Sequence, residues 1–313
     1  MPSSLPIDGV LLLDKPIGIT SNAAIQRIKR LLRAAKVGHV GTLDPLATGL
    51  LPVCLGEATK FSTSTFGADK SYDAEILLGV TTTTGDTEGE VITREIVDVT
   101  MLQIDGALRR FVGNIKQTPP MYSALKRGGK PLYVYARAGQ SVPLLPRDIT
   151  IHAIALRGFA ADRLQIDVRC TKGTYIRVLA EDIGRVLGCG ATLAGLRRIA
   201  VGGFEVSQAI TLEQLEMFDH AQRIACVLPM DILVSELPAL QLDAEQQRRL
   251  QTGRTALHPT SEISGLVRLY DQDRRFLGLA VIMAGVLVSK RLVATGIETV
   301  ESPRALLRVP KID

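Results

Sequence analysis

Two-residue and helical periodicities are interleaved along this chain without a regular rhythm, and that order narrows the possible architectures most. Tyr72, Ala74, Ile76 and Leu78 alternate with Asp73, Glu75 and Leu77, which marks a strand. Leu164, Ile166 and Val168 repeat the pattern with Gln165 and Asp167 outward, and residues 10–13 read as a short buried strand. Ile25, Ile28 and Leu32 share one face of a helix over 21–33, with Ser21 or Asn22 near its N-cap. Met101, Ile104, Leu108 and Phe111 mark a second helix, with Gly113 just past its end. A third carries Ile176, Leu179, Ile183 and Val186 and is stopped by Gly188 and Gly190. Strands and helices mix without a strict βαβ order, so an α+β fold is predicted, not a doubly wound parallel sheet. The strand start places Tyr72 at a sheet edge or cleft. At 313 residues the chain has room for one large and one small domain. Around residues 235–240 the pattern changes to short apolar runs divided by Gly, Asp and Thr, as in a small β-barrel. The predicted division is 1–236 and 237–313.

Residues 38–51, GHVGTLDPLATGLL, hold a single carboxylate, Asp44, among glycine, small hydroxyl and apolar residues. Pro45 drives Asp44 out of the helical region, and the glycines permit a tight backbone or a close ligand. A buried carboxylate among such neighbours is costly unless a donor or cation meets it. Taken alone, an Asp-Pro pair more often caps a turn than does chemistry.

Charge is more informative by segment than in total, because a net +5 suits many proteins. Between Asp14 and Asp44 lie Lys15, Arg27, Lys29, Arg30, Arg33 and Lys36 with no acid. Between Asp105 and Asp148 lie Arg109, Arg110, Lys116, Lys126, Arg127, Lys130, Arg137 and Arg147, again with none. From residue 240 onward 11 Lys and Arg face 8 Asp and Glu. Tyr122, Gly128, Gly129, Tyr133 and Tyr135 interleave with the second cluster, which favours nucleic acid over a merely solvated basic face. Lys126, Arg127 and Lys130 are accordingly the predicted phosphate-binding residues. The segment 117–146 is too aperiodic for a packed element and reads as a long mobile loop with one helical turn near 132–137.

Cys54, Cys170, Cys189 and Cys226 form no CxxC pair, and His39, His152, His220 and His258 are scattered. That spacing argues against a zinc site and a disulfide framework and fits a reducing cytoplasm. The start of the chain lacks a basic n-region and a long apolar stretch, so no secretory signal is expected. The longest nearly apolar run, 277–288, is too short to span a bilayer and reads as buried strands.

Six segments occur in order: GVLLLDKPIGITSN (9–22), GHVGTLDPLATGLL (38–51), DKSYDAEILLG (69–79), PPMYSALKRGGKPLYVYAR (119–137), CTKGTYIRVLAEDIG (170–184) and LGCGATLAGLRR (187–198). Together they resemble the bacterial tRNA pseudouridine-55 synthases, the TruB-type branch of the pseudouridine synthases. The resemblance implies a mixed pseudouridine synthase sheet with surrounding helices and loops, and a PUA-like RNA-binding tail. It implies isomerisation of uridine-55 in the T arm of tRNA, extruded from its stack, by a monomer that needs no protein partner, metal or cofactor.

Asp44 is then the catalytic carboxylate, ionised at neutral pH unless burial intervenes. Arg177, in GTYIR, is its implied partner, holding it bidentately and fixing its direction. Tyr72 matches the tyrosine that stacks on the target uracil, while Tyr175 and Leu196 match positions lining the base pocket. By the same resemblance His39 helps to hold the RNA after the base leaves, and Lys15 and Pro16 pack against the catalytic loop. Val40 stands where the family often has Thr, removing a hydroxyl.

Rival classes explain less. A non-catalytic RNA-binding protein accounts for the cations but not for Asp44, Tyr72 and Arg177 together. A phosphohydrolase with a nucleophilic Asp needs a second acid two positions on, where Leu46 stands. Gly188, Gly190 and Gly195 have the wrong spacing for a dinucleotide loop and follow a helix.

Overall fold

The computed structural model of the protein describes residues 7–62, 68–258 and 263–294. The first six residues and the tail cations Arg304, Arg308 and Lys311 lie outside them.

Most of the strands named from alternation join one ten-stranded mixed sheet. In chain order its main strands are β1 (Gly9–Lys15), β2 (Ala47–Leu55), β3 (Lys70–Leu78), β4 (Gly113–Gln117), β5 (Arg147–Ala160), β6 (Arg163–Cys170), β7 (Ala191–Val201) and β8 (Ile210–Thr211). Their spatial order is β8-β1-β2-β7-β3-β6-β5-β4, with Val37–His39 added on β2 and Phe204–Glu205 on β7. β7 runs antiparallel to β3 along most of its length, but meets β2 only in a short parallel pairing, Leu196 to Arg198 against Ala47 to Gly49. This brief join is a seam between two half-sheets, each with its own apolar core. One core is built on Ile76, Leu164, Ile166, Leu179 and Ile183, the other on Leu11, Leu13, Ile28, Leu51 and Leu55. Leu196 packs against both.

β3 lies between β7 and β6, so Tyr72 sits on an interior strand and not at a sheet edge, with Val168 and Arg198 directly opposite. Alternation alone cannot distinguish an edge from an interior strand when both faces are covered.

Four helices matter for the site. α1 (Ser21–Leu31) buries Ala24, Ile25 and Ile28 and leaves Arg27 and Arg30 exposed. Its N-cap is Thr20, whose hydroxyl accepts the Ala23 N–H at 3.0 Å, not Ser21 or Asn22. Ser21 is buried and its hydroxyl is committed elsewhere. α2 (Met101–Arg109) starts in a capping box between Thr100 and Gln103. The segment 117–146 is less featureless than its composition: Lys126–Arg127 pairs with Lys130–Pro131 in a hairpin, and α3 (Leu132–Arg137) follows with Leu132 buried. Leu132 is the apolar anchor that seats the helical turn expected near 132–137. α4 (Ile176–Leu187) ends at Gly188, which takes the left-handed conformation at φ 83°.

Beyond residue 237 a five-stranded sheet forms a half-barrel consistent with a PUA-like unit. Its strands β9 (Ala239–Gln241), β10 (Ala256–Leu257), β11 (Gly265–Tyr270), β12 (Phe276–Met283) and β13 (Val286–Leu292) stand in the order β9-β11-β12-β13-β10. The apolar run at 277–288 supplies β12 and the start of β13, with Leu279, Ala280, Ile282 and Leu287 buried. This unit is docked. Phe276 meets Phe61 edge to face at 5.2 Å and joins a shared cluster with Val10, Leu12, Leu50 and Met230. Around that cluster Tyr270 donates to Asp231 at 2.7 Å, and the Ala294 N–H donates to Glu57 at 2.7 Å. The four cysteines are free, and no helix of the described residues is long and apolar enough to cross a membrane.

Candidate active site

Asp44 lies in the loop between the strand Val37–His39 and β2, and buried polar groups hold that loop at several points. Ser21 Oγ accepts the Leu43 N–H at 2.8 Å and donates to the Leu43 carbonyl at 2.9 Å. The Gly18 N–H donates to the Pro45 carbonyl at 2.9 Å. Arg198 donates from Nη2 to the Gly41 carbonyl at 3.0 Å and from Nε to the Leu50 carbonyl at 2.7 Å. Gly41 has φ 76° and a Cβ there would stand 3.2 Å from Arg198 Nη1, so a side chain would meet both strain and crowding. Lys15 is fully buried and donates to the Pro16 and Ile19 carbonyls, both at 2.8 Å, which fits the packing role inferred for Lys15 and Pro16. Burial pushes its pKa down to about 8, against the pull of Asp44.

Arg177 is no surface arginine, because its side chain is only 7% exposed. Its Nη2 lies 3.1 Å from Asp44 Oδ2 and donates to the Tyr122 carbonyl at 2.7 Å. Its Nη1 donates to the Thr84 carbonyl at 2.9 Å and lies 3.6 Å from Asp86 Oδ2. The expected bidentate grip on Asp44 is therefore absent. A guanidinium carries five donors in a plane, and here two carboxylates and two carbonyls share them.

Asp86 escaped the sequence reading. It is buried, accepts from Thr84 Oγ1 at 2.5 Å and from the Glu88 N–H at 3.2 Å, and faces Arg177. Its only signal was a Gly-Asp step inside a threonine-rich turn, TTTTGDTEG, which usually means a turn and nothing more. Arg198 also went unremarked, although it closes the last matched segment.

The electrostatics favour a carboxylate that is held but not quenched. Burial pushes the Asp44 pKa up, Arg177 opposes this most strongly, and the nearby Asp86 charge adds to the rise. The side chain remains 43% exposed, so the carboxylate stays open to a ligand. Tyr72 is buried near Asp44 and stands directly across from Arg198 on β7. Burial raises its pKa and Arg198 opposes the rise.

Tyr175 precedes α4 directly and faces the same charges. Gln117 clamps its peptide, accepting the Tyr175 N–H at 2.7 Å and donating to its carbonyl at 3.0 Å. Gln117 is buried at the root of the 117–146 segment, so the cation-bearing loop and the Arg177 helix share one anchor. Leu196 lies at the seam opposite Ala47. His39 is half-buried, with Nδ1 lacking a hydrogen-bond partner among the described residues. Burial and then the Arg198 charge hold its pKa down.

The fold thus gathers Asp44, Tyr72, Arg177, Tyr175, Leu196 and His39 about the seam. Lys126, Arg127 and Lys130 stand apart on the exposed hairpin, where none pairs with a carboxylate among the described residues. The assembly presents an accessible carboxylate, aimed by a buried arginine, beside a buried phenol.

Comparison with known proteins defines the class and then the family. Solved structures with the same fold include one titled as a Cbf5-Nop10-Gar1 complex, 27% identical with a TM-score of 0.70, covering 90% of this chain and 84% of that one. Another, titled as an H/ACA RNP bound to a substrate RNA containing 2'-deoxyuridine, is 25% identical with a TM-score of 0.68, covering 92% and 86%. Three family models match in order: the TruB family pseudouridylate synthase N-terminal domain over 29–176, the tRNA pseudouridylate synthase B C-terminal domain over 177–235, and the pseudouridine synthase II TruB C-terminal model over 238–293. Relatives named tRNA pseudouridine synthase B include that of Methylobacillus flagellatus, 54% identical over 87% of this chain and 90% of the relative. That of Burkholderia mallei is 52% identical over 93% and 98%. The chain belongs to the TruB family of pseudouridine synthases.

Proposed function

We propose that this protein converts uridine to pseudouridine in tRNA, acting at uridine-55 of the T loop with Asp44 on a flipped-out base. The observation that carries this reading is a half-open carboxylate gripped by a buried arginine, in a chain 52–54% identical to tRNA pseudouridine synthases B along most of their length. In this isomerisation the bond from ribose C1′ to uracil N1 breaks and C5 is rejoined to C1′. No atom is gained and no electron is lost. Attack at C1′, addition to C6 and removal of the C2′ proton all require an ionised carboxylate at the same place. Arg177 serves each route by opposing the burial that would keep Asp44 protonated.

Tyr72, Tyr175 and Leu196 form the base pocket, and His39 faces the nucleotide as it leaves the stack. Extrusion costs a few kcal/mol of unstacking, which pocket stacking and phosphate contacts offset. Lys126, Arg127 and Lys130 supply contacts to the T arm, and the half-barrel from residue 237 adds others. The catalytic domain is taken as 1–236, and the protein acts in the cytoplasm as a monomer.

Tritium release from tRNA labelled at uracil C5, with the product mapped by carbodiimide and primer extension, tests the activity and the position. Stoichiometric release with a stop at position 55 is expected, and release without that stop would refute the position. Asp44→Asn keeps the shape but removes the charge, so turnover should vanish while tRNA still binds. Pseudouridine formed in a single turnover by pure Asp44→Asn protein would remove Asp44 from its role.

A further inference from the structure

Gln117 is the last residue of β4, which ends the strand order of the large sheet, and the register sets it opposite Arg147, the first residue of β5. The segment 117–146 therefore leaves and returns at this point. A side-chain amide that is only 3% exposed is costly to bury unless both of its ends are met. Here both are spent on one residue: Oε1 accepts the Tyr175 N–H at 2.7 Å, and Nε2 donates to the Tyr175 carbonyl at 3.0 Å. Only this orientation of the amide works, because the reverse would set donor against donor and oxygen against oxygen. The residue so held sits where a helix begins. Tyr175 is the N-cap of α4, extended in backbone and with no side-chain cap of its own. Its carbonyl also accepts the first bond of the helix, from the Leu179 N–H at 3.1 Å. Gln117 thus steadies, from a distant strand, a peptide that a local capping side chain would ordinarily fix.

Arg177 is the second residue of that helix. Its guanidinium meets the 117–146 segment again, because Nη2 donates to the Tyr122 carbonyl at 2.7 Å while lying 3.1 Å from Asp44 Oδ2. One nitrogen makes both contacts, so a small shift in the first turn of α4 moves the atom that faces the carboxylate. A brace that only closed the end of the sheet could finish on any backbone group of β5. This one reaches 58 residues along the chain, to the turn that carries the arginine.

We propose that Gln117 is a positioning residue for the reaction: by fixing the Tyr175 peptide it sets the first turn of α4, and with it the aim of Arg177 at Asp44. The inference rests on the proposed pseudouridine synthase activity, but its structural half stands without it. The experiment uses the full chain labelled with 15N-tyrosine, in which the Tyr175 amide is assigned by its loss in Tyr175→Phe. Gln117→Met is similar in length but has no donor and only a weak acceptor. In it the Tyr175 amide should shift and exchange its proton faster, while the Tyr270 amide in the half-barrel, assigned in the same way, stays. The single-turnover rate on saturating tRNA should fall about 100-fold, the scale for reacting groups displaced by about 1 Å. Affinity for tRNA and its salt dependence should stay close to wild type, because no cation is removed. The pH profile separates positioning from mere support. Arg177 opposes the burial that raises the Asp44 pKa, so with Arg177 misaimed the acid limb of the rate should move to higher pH. Gln117→Asn keeps the amide but is one methylene short, and it carries the test if Gln117→Met does not fold, with the same changes at smaller size. A folded variant with the wild-type rate, an unmoved Tyr175 amide, or a slowed rate whose acid limb has not moved overturns the proposal. If the wild-type protein forms no pseudouridine, the functional reading fails instead, and the Tyr175 amide still decides whether Gln117 holds the start of α4.

Discussion

Ser21→Ala tests how the fold holds its carboxylate. The Ser21 hydroxyl satisfies both the N–H and the carbonyl of Leu43, the residue immediately before Asp44. Ser21 and Leu43 are 2% and 3% exposed, so water cannot take the place of the lost hydroxyl. Leaving a buried polar group unmet costs about 1–3 kcal/mol, and two such groups on one residue that can partly relax give about 2–4 kcal/mol in total. At roughly 2 °C per kcal/mol for a chain this size, the variant should melt about 4–8 °C below wild type. Thr20→Ala is the control. It removes the true helix cap on an exposed side chain, costs about 1 kcal/mol, and leaves the Asp44 loop alone. Thermal melts with single-turnover assays on saturating tRNA separate the two. Ser21→Ala should lose both stability and chemical rate, with tRNA affinity kept, and Thr20→Ala should lose a little stability only. Equal melting temperatures and equal rates for the two variants would refute the idea that Ser21 pins the loop.

Three other outcomes are expected. Arg177→Lys keeps the charge but cannot serve Asp44, Asp86, Thr84 and Tyr122 together, so its chemical rate should fall steeply. Combined with Asp44→Asn it should be little worse than Asp44→Asn alone, and a double variant much worse in tRNA binding than either single one would contradict this. Burial raises the Asp44 pKa, so as pH falls the carboxylate takes its proton, and activity is lost, above the range near 3.9 of a free Asp. A single-turnover rate that stays flat down to pH 4 would contradict that sign. Neutralising Lys126, Arg127 and Lys130 together should make the log–log salt slope of tRNA binding shallower by up to about 2–3, read from binding titrations across salt concentrations. An unchanged slope would move the phosphate contacts elsewhere.

The strands and helices that alternate cleanly were legible because burial imposes period on sequence: Tyr72 to Leu78, Leu164 to Val168 and the α4 face all appear where their patterns put them. Asp44, Arg177 and Tyr72 were legible only through long ordered motifs, since each residue taken alone has an ordinary structural explanation. What could not be read was pairing at a distance. Ser21 looks like a cap until Leu43 is seen beside it, 22 residues on. Asp86 looks like a turn residue until Arg177 reaches it, and Arg198 looks like a surface cation until Tyr72 stands opposite. Hydrogen bonds across a sheet leave no period for a sequence pattern to carry.

The shared cluster around Phe276 bears on how binding and chemistry can be dissected. Phe276 and Leu279 come from the half-barrel, whereas Val10, Leu12 and Leu50 come from β1 and from β2, the strand that follows the Asp44 loop. A cut at residue 237 would strip a wall from that cluster and uncover Phe61, Met230 and Val234. A truncated protein that loses activity would then be reporting a wounded core as much as a missing RNA contact. Phe276→Ala should cost about 3–5 kcal/mol and lower the melting of both units in a single transition. The half-barrel behaves as a keystone of the catalytic sheet, and its cations are better erased one by one than removed with the masonry.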